Sequence, residues 1–259
     1  MKYVIDHDYH LHSHLSQCSS DPEQTVLGML AYAKEKGIDT VITDHHECAK
    51  QLPDACAVVN PHRPDDTYPF KELAGVGVVF KLLCAMESLA HPEDRLGECV
   101  RRVAMQYGDL VALGTIADVM PIIDENRLIV ALGLRIIESS PRAGMKALLD
   151  SAFNESKSRT KKKITSSMVG FTIAPRINAA GRLRSASMAV ELFLENDPDK
   201  AEQLAYRLCD VNRERQNEEN KIVEQAYARI DSAHDFTKDP VVVLADEAWH
   251  HGVIGIVSS

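Results

Sequence analysis

The chain has 259 residues, 45% of them hydrophobic and 26% charged, with a formal net charge of -9. That length suffices for one large core, or for a main domain with part of a second, and the composition excludes a disordered chain. No apolar run approaches the ~20 residues of a membrane helix, and MKYVIDHDYH lacks the apolar segment of a secretory signal, so a cytoplasmic protein with no membrane partner is expected. The acidic balance argues against nucleic-acid binding through a general basic surface. It leaves room for a local basic groove beside acidic metal ligands. The cysteines form neither a C-x-x-C pair nor a zinc pattern with histidine and read as reduced thiols.

In chain order, Pro22 to Lys36 carries Val26, Leu30 and Ala33 at helical spacing, with Asp21 as N-cap and a stop at Gly37. Ile38 to Thr43 predicts a strand that ends in polar residues, the end at which an open parallel sheet binds ligands. Ala55 to Asn60 predicts a second strand, followed by a loop rich in Pro and Asp from Pro61 to Pro69. Helices are expected over Val76 to Leu89, Leu96 to Ala117 and Asn126 to Glu138. The polar stretch Asn154 to Thr165 reads as an exposed loop or helix end. Asp199 to Ile230 predicts a long helix with a highly charged middle, NRERQNEENK. Val241 to Ala245 predicts a buried strand that opens a further domain, and the chain ends in GVIGIVSS. The fold class is α/β with a parallel sheet.

Three segments carry chemistry. TDHHE, Thr43 to Glu47, sets a carboxylate and two imidazoles at a strand end. Such a set suits manganese, zinc or iron better than calcium. The bland alternative is a pair of surface histidines. GTIADVMPI places one acid, Asp118, in an apolar helical stretch. A buried carboxylate needs a metal or a partner, and a helix cap or a salt bridge to Arg127 would also serve. In GFTIAPRINAAGRL, Arg176, Asn178 and Arg182 sit among small residues that let a ligand approach the backbone. Arginine presents a planar fork to phosphate oxygens. The alternative is arginines capping helix carbonyls.

Taken in order, TDHHE, NPHRPDDTYPFKELAGVGVVFKL, ALGTIADVMPIIDENR, GFTIAPRINAAGRL and VVVLADEAWHHGVIGIV resemble the RecJ-type exonucleases of the DHH phosphoesterase family, from about residue 31 to 259. The resemblance implies a DHH domain over 31–195, a connecting helix over 196–234 and the start of a DHHA1 domain over 240–259. It implies 5′-to-3′ hydrolysis of single-stranded DNA with Mn2+ or Mg2+, in repair and recombination beside other repair proteins. His45 matches the metal-binding histidine and Asp118 the acid that closes the metal site. Asp44 and His46 complete the signature as metal support or phosphate contacts. Arg176, Asn178 and Arg182 match the segment implied to contact substrate, and His250 matches the histidine of the W-H-x-G-V-I-G-I segment.

Residues 1–30 instead resemble the start of the PHP phosphoesterases, with His10 and His12 as their opening H-x-H metal pair. The Asp-x-Asp strand and the later lone Asp that the DHH resemblance implies before the signature are not recognisable. A join between about Ala31 and His46 is therefore expected, with a weakened metal site. Two other functions stay open: a PHP-type phosphoesterase acting on a small phosphate ester, and a non-catalytic fragment that binds DNA.

Overall fold

A computed structural model describes residues 26–155, 163–233 and 241–258. Helix α1 (Val26–Glu35) closes on Gly37 at φ +68°. There Gly37 N–H donates to Lys34 O at 3.1 Å and Ile38 N–H to Ala33 O at 2.8 Å. This is a Schellman closure with glycine in the left-handed position. The β-branched run beyond it forms β1 (Val41–Thr43), which pairs in parallel with β2 (Ala57–Val59) in the register Val41↔Ala57, Ile42↔Val58, Thr43↔Val59. Parallel pairing brings both carboxyl ends to one edge, so Asp44 and Asn60 follow their strands side by side.

The rest of the described chain is helical. Helices α2 (Gly75–Ala90), α3 (Leu96–Ala117) and α4 (Asp124–Glu138) pack with α3 in the middle. Phe80 and Cys84 of α2 meet Val103, Ala104 and Val111 of α3 in one apolar cluster. Phe70, Leu73 and Val78 form a smaller one beneath the sheet, with Val59 against it. The crossing of α3 and α4 depends on glycine. A Cβ on Gly133 would lie 2.4 Å from Gly108 O and 2.2 Å from Ala112 Cβ.

The largest core gathers the remaining helices: α5 (Ala143–Glu155), α6 (Ser166–Met168), a π-helical turn (Val169–Ile173), α7 (Ala174–Leu183), α8 (Ser187–Leu194) and α9 (Pro198–Ala233). Met145, Leu148, Val169, Ile173, Leu192, Ala205 and Leu208 are almost fully buried there, and each large aliphatic side chain so buried contributes about 1.5–3 kcal/mol. The charged middle of α9 is neutralised along its own length, with Arg213 paired to Asp210 and Arg215 to Glu219. No described helix is long and apolar enough to cross a membrane.

The C-terminal expectation needs correction. Residues 241–245 are not a buried strand: they form no ladder, and Val241 and Val243 are 69% and 84% exposed. A lone strand leaves its backbone groups unpaired, and no described neighbour pairs with it. The segment is held instead by polar contacts to α9: Arg229 donates to Ala245 O (2.8 Å), pairs with Asp246 and lies over the Trp249 ring (5.2 Å). Trp249 Nε1 donates to Gln225 (2.8 Å), and α10 (His251–Val257) follows. His10 and His12 lie outside the described residues, as does most of the KSRTKKK stretch.

The glycine crossing gives a direct test. Gly133→Ala forces α3 and α4 apart at backbone, not at a flexible side chain, and is expected to lose at least about 2 kcal/mol, seen as a lower urea midpoint with an unchanged slope.

Candidate metal centre

Asp44 N–H donates to Val59 O (3.0 Å), which carries the ladder one residue past β1. Asp44 Oδ1 then accepts from His45 N–H (2.7 Å), His46 N–H (3.2 Å) and His46 Nδ1 (2.8 Å). The carboxylate thus caps its own turn, as Asp does where a chain leaves regular structure. Burial pushes the Asp44 carboxyl up, but the hydrogen bonds from the His46 ring and the two backbone amides outweigh it, leaving the group below its ordinary value. Its stabilising effect is present above the ordinary carboxylate pKa of about 3.9 and is lost as pH falls below it.

The two imidazoles have different settings. The His45 side chain is 15% exposed, and its Nε2 lies 3.4 Å from Asp118 Oδ2. The first residue of α2, Gly75, packs on its ring. The His46 side chain is 76% exposed and turns toward solvent, its ring tilted against that of His45 with centroids 4.3 Å apart. Asp118 does not interrupt a helix; it caps the end of α3, and its side chain is 46% exposed. Among the ion pairs of the described residues its partner is His45, not Arg127.

The end of α3 is strained. Val119 N–H donates to Ile116 O (3.1 Å) and Met120 N–H to Thr115 O (3.3 Å), the same closure that Gly37 gives α1. Here the left-handed position, φ 56°, holds valine, a β-branched residue for which that conformation costs about 1–3 kcal/mol. The loop beyond it is pinned by Asn126, fully buried, whose Nδ2 donates to Pro121 O (3.0 Å) and Glu72 O (2.6 Å).

Sequence reading missed Asn126, Val119 and Asn60. Asn60, 2% exposed, donates from Nδ2 to His46 O (2.9 Å) and accepts from His62 N–H (2.8 Å), tying the two strand-end loops together. Its signal was available: it is the polar residue that ends the second strand, as Asp44 ends the first. His62 Nδ1 lies 3.1 Å from Glu47 on the same edge.

The PRINAAGR residues separate. Asn178 is exposed. Arg182 spends Nη1 on Gly252 O (3.0 Å). Arg176 is 6% exposed and turns inward, donating to Thr172 O and, at 3.3 Å, to Cys209 Sγ. His250 is exposed and caps α10, its Nδ1 accepting from Gly252 N–H (3.0 Å).

The structure therefore brings Asp44, His45, His46 and Asp118 to one edge as two pairs, His46 with Asp44 and His45 with Asp118. Among the described residues, three ligand atoms lie within 4.8 Å of one another only at His91, Glu93 and Asp94, in a turn where Asp94 is paired with Arg102. The carboxylate and imidazole donors at the strand edge fit a divalent cation in kind.

A family model for the DHH family, N-terminal domain, matches residues 3–115. It spans the signature at Asp44–His46 and also takes in the segment that resembles the PHP start. The single-stranded-DNA-specific exonuclease RecJ of Bacillus subtilis is 41% identical over 227 residues, covering 88% of this chain and 26% of that protein. Over most of its length the chain is similar to RecJ, and its signature lies within the DHH-family match. The RecJ of Haemophilus influenzae is 40% identical over 236 residues, 89% of this chain and 40% of its own length. Among solved structures, exonuclease RecJ bound to manganese superposes with a TM-score of 0.70 at 33% identity, over 90% of this chain and 54% of that one. RecJ from Thermus thermophilus in complex with Mn2+ gives 0.72 at 34%, over 90% and 32%. The chain thus spans between about a quarter and two fifths of these curated relatives.

The strained turn yields a stability test. Asparagine tolerates the left-handed region, so Val119→Asn is expected to gain about 1 kcal/mol. An unchanged or lower denaturation midpoint would remove the strain at this helix end.

Proposed function

We propose that this chain is the nuclease core of a RecJ-type enzyme that hydrolyses single-stranded DNA from 5′ to 3′ with Mn2+ or Mg2+, in the cytoplasm and in DNA repair and recombination. The observation that carries this reading is the His45–Asp118 contact at the carboxyl edge of the parallel strands, 3.4 Å long and bridging two distant segments. His45, Asp118 and Asp44 are proposed to hold the cation. When bound, the cation polarises the phosphodiester and lowers the pKa of bound water.

The chain's own residues have separate tasks. Asp44 fixes the turn that aims both imidazoles. His46, being exposed, is free to meet a phosphate oxygen. Arg182 and Asn178 are proposed to meet the strand further along, where cationic side chains stabilise charge on phosphoryl oxygens. Arg176 supports this reading only indirectly, since its guanidinium is buried among protein partners. His10 and His12 are proposed as the added donors from the segment before the signature. The domain layout that goes with this reading is 31–195, 196–234 and 240–259, with 1–30 as a PHP-like start.

A second reading, binding of single strands without turnover, is favoured by the pairwise arrangement of the described ligands. One experiment separates the two: degradation of a 3′-labelled single strand with and without Mn2+. Metal-dependent shortening is expected, falling about 100-fold or more in Asp44→Ala and about tenfold in Asn60→Ala, whose loss loosens the turn rather than the ligand set. Full activity in Asp44→Ala would sink the assignment of the site. Tight binding with no shortening in the unaltered chain would select the second reading. Affinity should fall steeply with salt in either case.

A further inference from the structure

We propose that Phe171 is a stacking platform for a nucleobase beside the metal centre, an inference that rests on the single-strand reading above. The π-helical turn Val169–Ile173 interrupts an otherwise α-helical run, with Ala174 N–H reaching back to Val169 O. Such turns are rare and recur at functional sites because they re-aim side chains. This one is fixed on every side. Val169 and Ile173 are 0% and 1% exposed in the largest core. Arg176, itself buried, donates to Thr172 O and to Cys209 Sγ, clamping the turn to α9. Gly170 faces Ile116, whose Cγ2 would lie 3.5 Å from a Cβ there.

Between these anchors Phe171 stands 85% exposed. An aromatic ring held in water by a rigid turn forgoes the gain of burying it, and a bound partner would restore that gain. Its neighbourhood says which partner. Ile116 lies in the last turn of α3, two residues before Asp118, and Val119, just beyond, is 87% exposed. The π-helical turn thus packs on the last turn of α3, the helix whose end carries the proposed metal ligand. On this proposal, a strand whose phosphate reaches Asp118 runs past this turn. A base offers a flat π-face, stacks on an aromatic ring for about 1–3 kcal/mol, and does so whatever its sequence.

The test is fluorescence anisotropy in Mn2+ with a single-stranded oligonucleotide and an abasic strand of equal length, both with phosphorothioate linkages that block cleavage. The unaltered chain is expected to bind the base-bearing strand about fivefold more tightly than the abasic one. Phe171→Ala should remove that margin while leaving abasic affinity unchanged, and Phe171→Trp should restore it. A margin that survives Phe171→Ala overturns the proposal and makes the ring a contact for a protein segment. Equal weakening on both strands also overturns it, in favour of a structural role. Either result leaves the single-strand reading intact, whereas failure of the unaltered chain to bind either strand sinks both.

Discussion

Helix α3 is clamped from three directions, and the place of Asp118 depends on that clamp. Toward α4 the contact is backbone to backbone at Gly108 and Gly133. Toward α2, Gly114 leaves room for Val76, whose Cγ1 would lie 2.8 Å from a Cβ there. Toward the π-helical turn, Gly170 lies over Ile116. Small residues at three crossings let the helices approach closely, and close-packed interiors hold what they position. The last turn of α3 consequently meets the edge of a sheet formed much earlier in the chain. His45 and Asp118 are strangers in sequence that the clamp makes neighbours.

Electrostatics at that edge are local. The chain as a whole is acidic, which by itself repels a polyanionic strand. At the strand edge, however, the nearest partner of Asp44 and of Asp118 is an imidazole, not a second carboxylate. Asp44 is stabilised as an anion by its own turn and needs no distant cation to remain charged. A divalent ion added there would complete a surface able to attract phosphate.

Much of this was legible in the sequence because it rested on periodicity and on strand-end polarity. The helices around Val76, Leu96 and Asn126, the long helix from Asp199 and the two strands were all read with small errors at their ends. The acids and histidines of the strand edge stand out in the sequence because few residue types can bind a metal. Other features were not legible, each for a physical reason. Val119 adopts a backbone conformation that its residue type disfavours, so no propensity announces it. Asn126 and Asn60 act through hydrogen bonds to carbonyls 54 and 14 residues away in the chain. Arg176 looks like a phosphate ligand in sequence and is instead buried against Cys209. Val241 to Ala245 has strand composition, but a strand also requires a neighbour to pair with.

Helix α9 is 36 residues long, about 54 Å at 1.5 Å per residue. Its first half is bolted into the core by Ala201, Ala205 and Leu208, and its far end carries Gln225 and Arg229, the docking points for Trp249 and Asp246. A helix advances by about 100° per residue, so the two ends keep a fixed relative phase. Inserting or deleting one residue between them would swing Arg229 away from its carbonyl and carboxylate while leaving Ala201, Ala205 and Leu208 in register. Changes of about seven residues would restore the phase and alter only the reach. Length variation in this helix is therefore quantised, and natural drift in the chain should spare it or change it by whole turns.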